Sequence, residues 1–71
     1  VYEHYYYNVN LDNKGNHEVH TDSCSFLPSP QNRVYIGYES SCSKAITRVM
    51  IETGKSNFDG CFWCCRECHI G

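Results

Sequence analysis

The residues able to do chemistry crowd the end of this chain. Asp59 to Ile70 reads DGCFWCCRECHI and holds four of the six cysteines, at 61, 64, 65 and 68. Thiols at this density have three uses: they ligate a borderline-soft cation, exchange electrons, or cross-link a small fold. Two C-x-x-C units sit side by side, Cys61–Cys64 and Cys65–Cys68, with His69 next to them. His17, His20 and Cys24 add ligand types upstream. Thiolates and imidazoles suit tetrahedral zinc, so His20, Cys24, Cys61, Cys64, Cys65, Cys68 and His69 make a candidate donor set for structural zinc. A catalytic zinc has no support. The stretch HEVH (17–20) is one residue short of the HExxH signature and reads as strand.

The redox alternative uses the C-x-x-C of Cys61 and Cys64. At a helix start, free amides and the dipole would lower a thiol pKa. The chain is too short for a thioredoxin-type domain, and no βαβ unit precedes the motif. No paired carboxylates and no serine in a nucleophile elbow occur, so no catalytic residue is assigned.

The third use, cross-linking, depends on how the last stretch folds. Taken as a helix over about 60–69, Cys61, Cys64, Cys65 and Cys68 fall at i, i+3, i+4 and i+7, one face of a 3.6-residue period. A stripe normally filled by leucine is then filled by sulfur. Disulfides among Cys24, Cys42, Cys61, Cys64, Cys65 and Cys68 are the preferred reading, with no cofactor. Only Cys24 and Cys42 lie outside the final stretch. A fully oxidised chain must therefore contain a bridge within it.

The elements that must position these residues are short. VYEHYYYNVNL (1–11) has strand composition, with Tyr5, Tyr7 and Val9 on one side. DNKGN (12–16) is a turn signal, and a second strand follows from about 16, so a hairpin is expected. Pro28 and Pro30 make 21–32 a loop. RVYIGYE (33–39) is a third strand. The stretch 41–53 is a helix with Ser40 or Ser41 at its start and Gly54 as its stop. Its apolar stripe is Cys42, Ala45, Ile46, Val49, Met50 and Thr53. The fold expected is a small disulfide-rich α+β domain: a two- or three-stranded antiparallel sheet on two helices, at about 41–53 and 60–69.

Seventy-one residues form one domain, 1–71, with a core too small to be secure without a disulfide, metal or partner. Six cysteines in that length point to an oxidising compartment, hence secretion to an extracellular or periplasmic space. The formal charge is -2, and the basic residues are scattered, which argues against nucleic acid as partner. No apolar run is long enough to span a bilayer. The chain opens on Val1 with neither an initiating methionine nor a signal peptide, as a processed or trimmed chain would.

Set end to end, His20-xxx-Cys24, Asn32-Arg33, Gly37, Ala45 and Gly60-Cys61-xx-Cys64 resemble the small metal-binding domain of the bacterial methylphosphotriester DNA repair protein and its secreted relatives. The resemblance covers about residues 17–64. It implies a small α+β shape. In the repair protein four cysteines hold zinc and one accepts a methyl group from DNA. Here Cys42, Cys65 and Cys68 are additional and no basic surface exists, so neither methyl transfer nor DNA binding is carried over. The function expected is that of a secreted, disulfide-stabilised, non-enzymatic binding or defence-type protein acting on a protein or cell-surface target. A structural zinc-binding module, with nucleic acid as its conceivable partner, is the first alternative, and a thiol redox protein using the local C-x-x-C the second. Aromatic residues dominate interfaces, and Tyr5, Tyr6, Tyr7, Tyr35, Tyr38, Phe62 and Trp63 are the candidate contacts.

Overall fold

The computed structural model describes all residues, 1–71. Four strands, β1 (Glu3–Asn8), β2 (His17–Thr21), β3 (Arg33–Glu39) and β4 (Phe58–Gly60), form one sheet in the order β3-β1-β2-β4. β1 pairs antiparallel with both β2 and β3, whereas β2 and β4 run parallel. A single helix, α1 (Cys42–Thr53), packs on one face.

The hairpin turn works as its residues dictate. The Asp12 carboxylate accepts from the amides of Lys14 and Asn16, both at 2.9 Å, and these bonds hold its pKa below the ordinary value. The bond from the Asn16 amide contributes most. Helix α1 is capped at both ends. The Ser41 hydroxyl accepts from the Lys44 amide, and Gly54, at φ 70°, donates its N–H to the Met50 carbonyl. Its buried face is Cys42, Ala45 and Val49, with Ile46 and Met50 half-covered. These meet Tyr5, Val19, Ile36, Phe58 and Cys65 to make the core. A register shift opposite Tyr5 and Tyr6 admits an extra residue in β3. It turns Ile36 inward while leaving Tyr35 and Tyr38, three residues apart, both outward.

Two expectations fail, and for one reason. The last stretch is not a second helix, and the sheet has four strands of mixed direction rather than two or three antiparallel ones. Phe58–Gly60 adds to the free edge of β2. Residues 61–65 then form a tight turn closed by the Cys65 amide on the Cys61 carbonyl at 2.9 Å, and Arg66–Cys68 a short 3-10 turn. The i, i+3, i+4, i+7 spacing suits two successive turns as well as a helix. Phe and Trp are only moderate helix formers, and Gly60 is a poor one. Gly60 is also required by space. A Cβ there would lie 2.5 Å from the Cys65 carbonyl oxygen and 2.7 Å from Cys68 Cβ.

The chain is thus a small, cysteine-rich, disulfide-bonded α+β domain. Its one disulfide, Cys42–Cys68, ties the start of α1 to the C-terminal segment. No helix is long and apolar enough to cross a membrane.

Candidate metal centre

Strand β2 brings His20 to the site at its penultimate position, 2 % exposed. The chain then turns, with the Cys24 amide on the Thr21 carbonyl at 3.2 Å, and delivers Cys24 back beside it. β4 delivers the third group. Val19 and Gly60 are register partners, and the Cys61 amide donates to the Val19 carbonyl at 2.9 Å, so Cys61 leaves the sheet next to His20. The tight turn that follows returns Cys64.

The result is a cluster of His20, Cys24, Cys61 and Cys64 whose ligand atoms all lie within 4.8 Å of one another. Cys24 Sγ is 3.9 Å from Cys61 Sγ and 3.6 Å from His20 Nδ1, and Cys64 Sγ is 4.0 Å from the same nitrogen. Zinc–sulfur and zinc–nitrogen bonds of ordinary length give a tetrahedron with S···S edges of about 3.8 Å and S···N edges of about 3.6 Å. The three separations above lie close to those edges, and no pair of donors is more than 4.8 Å apart, so a modest contraction would let the four accept such an ion.

The surroundings suit thiolates. The amides of Phe26, Trp63 and Thr21 each approach one sulfur at 3.4 Å, on Cys24, Cys61 and Cys64 respectively. Hydrogen bonds of this kind favour the charged form. Burial opposes them. It pushes the Cys61 thiol up to about 11 and raises Cys24. Cys64 is raised chiefly by its hydrogen bond with Cys65, then by burial. The lowered C-x-x-C pKa expected for redox work is therefore absent. A divalent cation supplies the missing term, since a coordinated thiol loses its proton outright.

His20 carries a second signal. Its Nε2 is buried without a hydrogen-bond partner. With Nδ1 as the ligand atom, Nε2 would carry the proton, and Glu18 Oε1 lies 3.8 Å from Nε2. At that distance the carboxylate is not hydrogen-bonded to it, and is the acceptor nearest the nitrogen from which a ligating histidine usually donates to an outer-shell group. Burial, then Asp12 and Asp59, raise the Glu18 carboxyl above its ordinary value. Glu18 and His20 are two apart on β2 and so share a face, and this spacing is the one signal in the sequence that could have singled out Glu18.

The expectation of no cofactor is corrected by this cluster. Of the seven residues proposed as zinc donors, four converge and three do not. Cys65 is a thiol wholly buried in the core, and Cys68 is bonded to Cys42. His69 Nδ1 donates to the Gly60 carbonyl at 3.0 Å. Of the six cysteines expected to pair, only Cys42 and Cys68 do so; Cys24, Cys61, Cys64 and Cys65 remain thiols.

The seven aromatic candidates are dispersed. Tyr5 is buried and Tyr7 packs against the core. Tyr6, Tyr35 and Tyr38 line the outer face of the sheet with Tyr2 and His4, in edge and tilted contacts of 4.6 to 5.7 Å between centroids. Phe62 and Trp63 stand apart from them, beside the cluster.

Comparisons with protein-family models, curated proteins and solved structures find no match.

Proposed function

We propose that this chain is a zinc-stabilised binding module, with the ion held by His20, Cys24, Cys61 and Cys64 in a structural role. The observation that carries the reading is the convergence of four donor atoms within 4.8 Å from two segments 37 residues apart at their cysteines. Four protein ligands fill a tetrahedron and leave no position for water or substrate, the mark of a structural site. These four residues are also ones at which the sequence resembles the metal-binding domain of the DNA repair protein and its secreted relatives.

The bound ion supplies cross-linking, and no reaction step. The module would act by contact, and the exposed aromatic face of β1 and β3 favours a binding role. The Cys42–Cys68 bridge favours an oxidising, extracellular or periplasmic setting, where coordination would shield the remaining thiols.

Zinc content of the purified protein tests this, together with cobalt substitution. One equivalent of metal is expected, with thiolate-to-cobalt absorption and tetrahedral ligand-field bands. Cys24→Ala and His20→Ala should abolish tight binding, whereas Cys65→Ala should retain it. Equal loss in all three, or no metal in the parent chain, would exclude the assignment.

A further inference from the structure

Two turns meet at the cluster, and each brings one sulfur to the same place by the same local geometry. Cys24 Sγ accepts from the Phe26 amide and Cys61 Sγ from the Trp63 amide, each two residues on and each at 3.4 Å. The rings of Phe26 and Trp63 stack across the turns, with centroids 5.8 Å apart. Backbone bonds hold both turns to β2, the Cys24 amide on the Thr21 carbonyl and the Cys61 amide on the Val19 carbonyl. The contact between the two sulfurs, 3.9 Å, is therefore set by protein groups and does not depend on an ion.

Exposure separates the two thiols. Cys24 is partly open to solvent, whereas Cys61 is buried. A thiol that a small reagent can reach, beside one that it cannot, is the arrangement of an attacking and a resolving cysteine. Cys64 is also partly open, but its sulfur takes the Thr21 amide at 3.4 Å and lies 4.0 Å from His20 Nδ1. A Cys61–Cys64 bridge would close only a four-residue turn. A Cys24–Cys61 bridge would span 37 residues and constrain the unfolded chain far more.

Resting on the zinc reading, we infer that the site is redox-sensitive: a low-molecular-weight disulfide such as oxidised glutathione joins Cys24 to Cys61 and releases the ion. Metal and disulfide are then alternative cross-links between the same two turns. Cys24 Sγ attacks one sulfur of the reagent, whose S–S bond breaks, and the first glutathione thiolate leaves. Cys61 Sγ then attacks Cys24 Sγ of the mixed disulfide and expels the second. Two electrons pass from the two cysteines to the reagent, and both leaving thiolates are protonated from solvent. Zinc departs to water as its sulfur ligands are lost, and Cys64 takes a proton in its place. The sulfurs close from 3.9 Å to about 2.05 Å, a side-chain movement. Cys65, in the core, and the Cys42–Cys68 bridge take no part.

The test treats the zinc-loaded chain with excess oxidised glutathione. A chromogenic zinc indicator follows release, and intact mass and peptide mapping identify the product. Tryptic cleavage after Arg33, Lys44, Arg48 and Lys55 puts Cys24 and Cys61 on different peptides, and fragmentation of the joined pair tells Cys61 from Cys64. One equivalent of zinc should appear in step with a Cys24–Cys61 product two hydrogens lighter than the metal-free thiol chain. That product should keep the circular dichroism of the loaded chain and melt about 10 °C or more above the metal-free thiol form. Cys64→Ala should still form the bridge, and Cys61→Ala should accumulate the glutathione adduct on Cys24. Zinc retained under excess oxidant overturns the exchange and leaves the metal reading standing; a chain that takes up no zinc overturns both. Zinc release with a bridge to Cys64, or with a glutathione adduct that persists in the parent chain, overturns the pairing.

Discussion

Removing the Cys42–Cys68 bridge should cost the fold much of its stability yet leave the metal in place. The two cysteines are 26 apart in sequence, and closing a loop of that length in the unfolded chain contributes about 3.5 kcal/mol in the chain-entropy treatment. A domain of 71 residues has a total stability on the order of 4–11 kcal/mol, so the bridge is a large share of it. The double variant Cys42→Ala/Cys68→Ala also deletes sulfur from a wholly buried position at Cys42, which can only add to the loss. With a urea slope of about 1 kcal/mol/M for so small a protein, the midpoint should fall by about 3.5 M or more. The assay is urea unfolding of zinc-loaded parent and variant, followed by far-ultraviolet circular dichroism, with zinc measured on the folded fraction. Stoichiometric zinc in the variant is expected, because neither Cys42 nor Cys68 belongs to the cluster. Loss of zinc under conditions where the variant is still folded would refute the separation of the two cross-links. An unchanged midpoint would refute the entropic argument.

Three further outcomes follow from named contacts. Chelation of zinc from the parent chain should release three reactive thiols, Cys24, Cys61 and Cys64, and lower the thermal midpoint, with Cys65 reacting only on unfolding; thiol counting under native and denaturing conditions reads this. Gly60→Ala should destabilise by about 1–3 kcal/mol, since its Cβ would meet the Cys65 carbonyl oxygen at 2.5 Å and the bridged Cys68, neither free to move; chemical denaturation measures it. Burial pushes the Tyr5 phenol from 10.0 up to about 12, with Cys65 adding to it. Below pH 10 both folded and unfolded chains keep that proton and stability is full. Between pH 10 and 12 the unfolded chain ionises first, so stability falls by up to about 3 kcal/mol as pH rises. Tyr5→Phe should flatten that window in denaturation curves taken across it.

Much of the architecture is legible in the chain. The hairpin follows from the DNKGN turn between β-rich stretches. Helix α1 follows from the Cys42, Ala45, Ile46, Val49 and Met50 stripe between Ser41 and Gly54. What eludes the sequence is β4. Three residues, Phe58 to Gly60, carry no alternation, and their pairing with β2 is parallel and long-range. That pairing is what moves Cys61 beside His20, so missing β4 also hides which donors converge. The cysteine period misleads for a related reason. It records that four sulfurs point inward, which is true of Cys61, Cys64, Cys65 and Cys68 in differing degree, but inward here means three different destinations.

The division of those sulfurs is set by the backbone that carries them. Cys24, Cys61 and Cys64 each receive a backbone N–H from a turn or strand end, an arrangement that stabilises negative sulfur and therefore coordination. Cys42 begins α1, and Cys68 lies in the 3-10 turn packed against it, so these two sit at bridging distance outside the cluster. Cys65 has neither a cluster place nor a bridge, and fills core volume as a small apolar side chain. The adjacent pair Cys64 and Cys65 thus points to opposite tasks, metal and core. A continuous helix would have held both on one stripe. A tight turn that separates them turns Cys61 and Cys64 toward the cluster, leaves Cys65 in the core and brings Cys68 to Cys42, so a 71-residue chain can hold a disulfide and a set of metal-ligand donors at once.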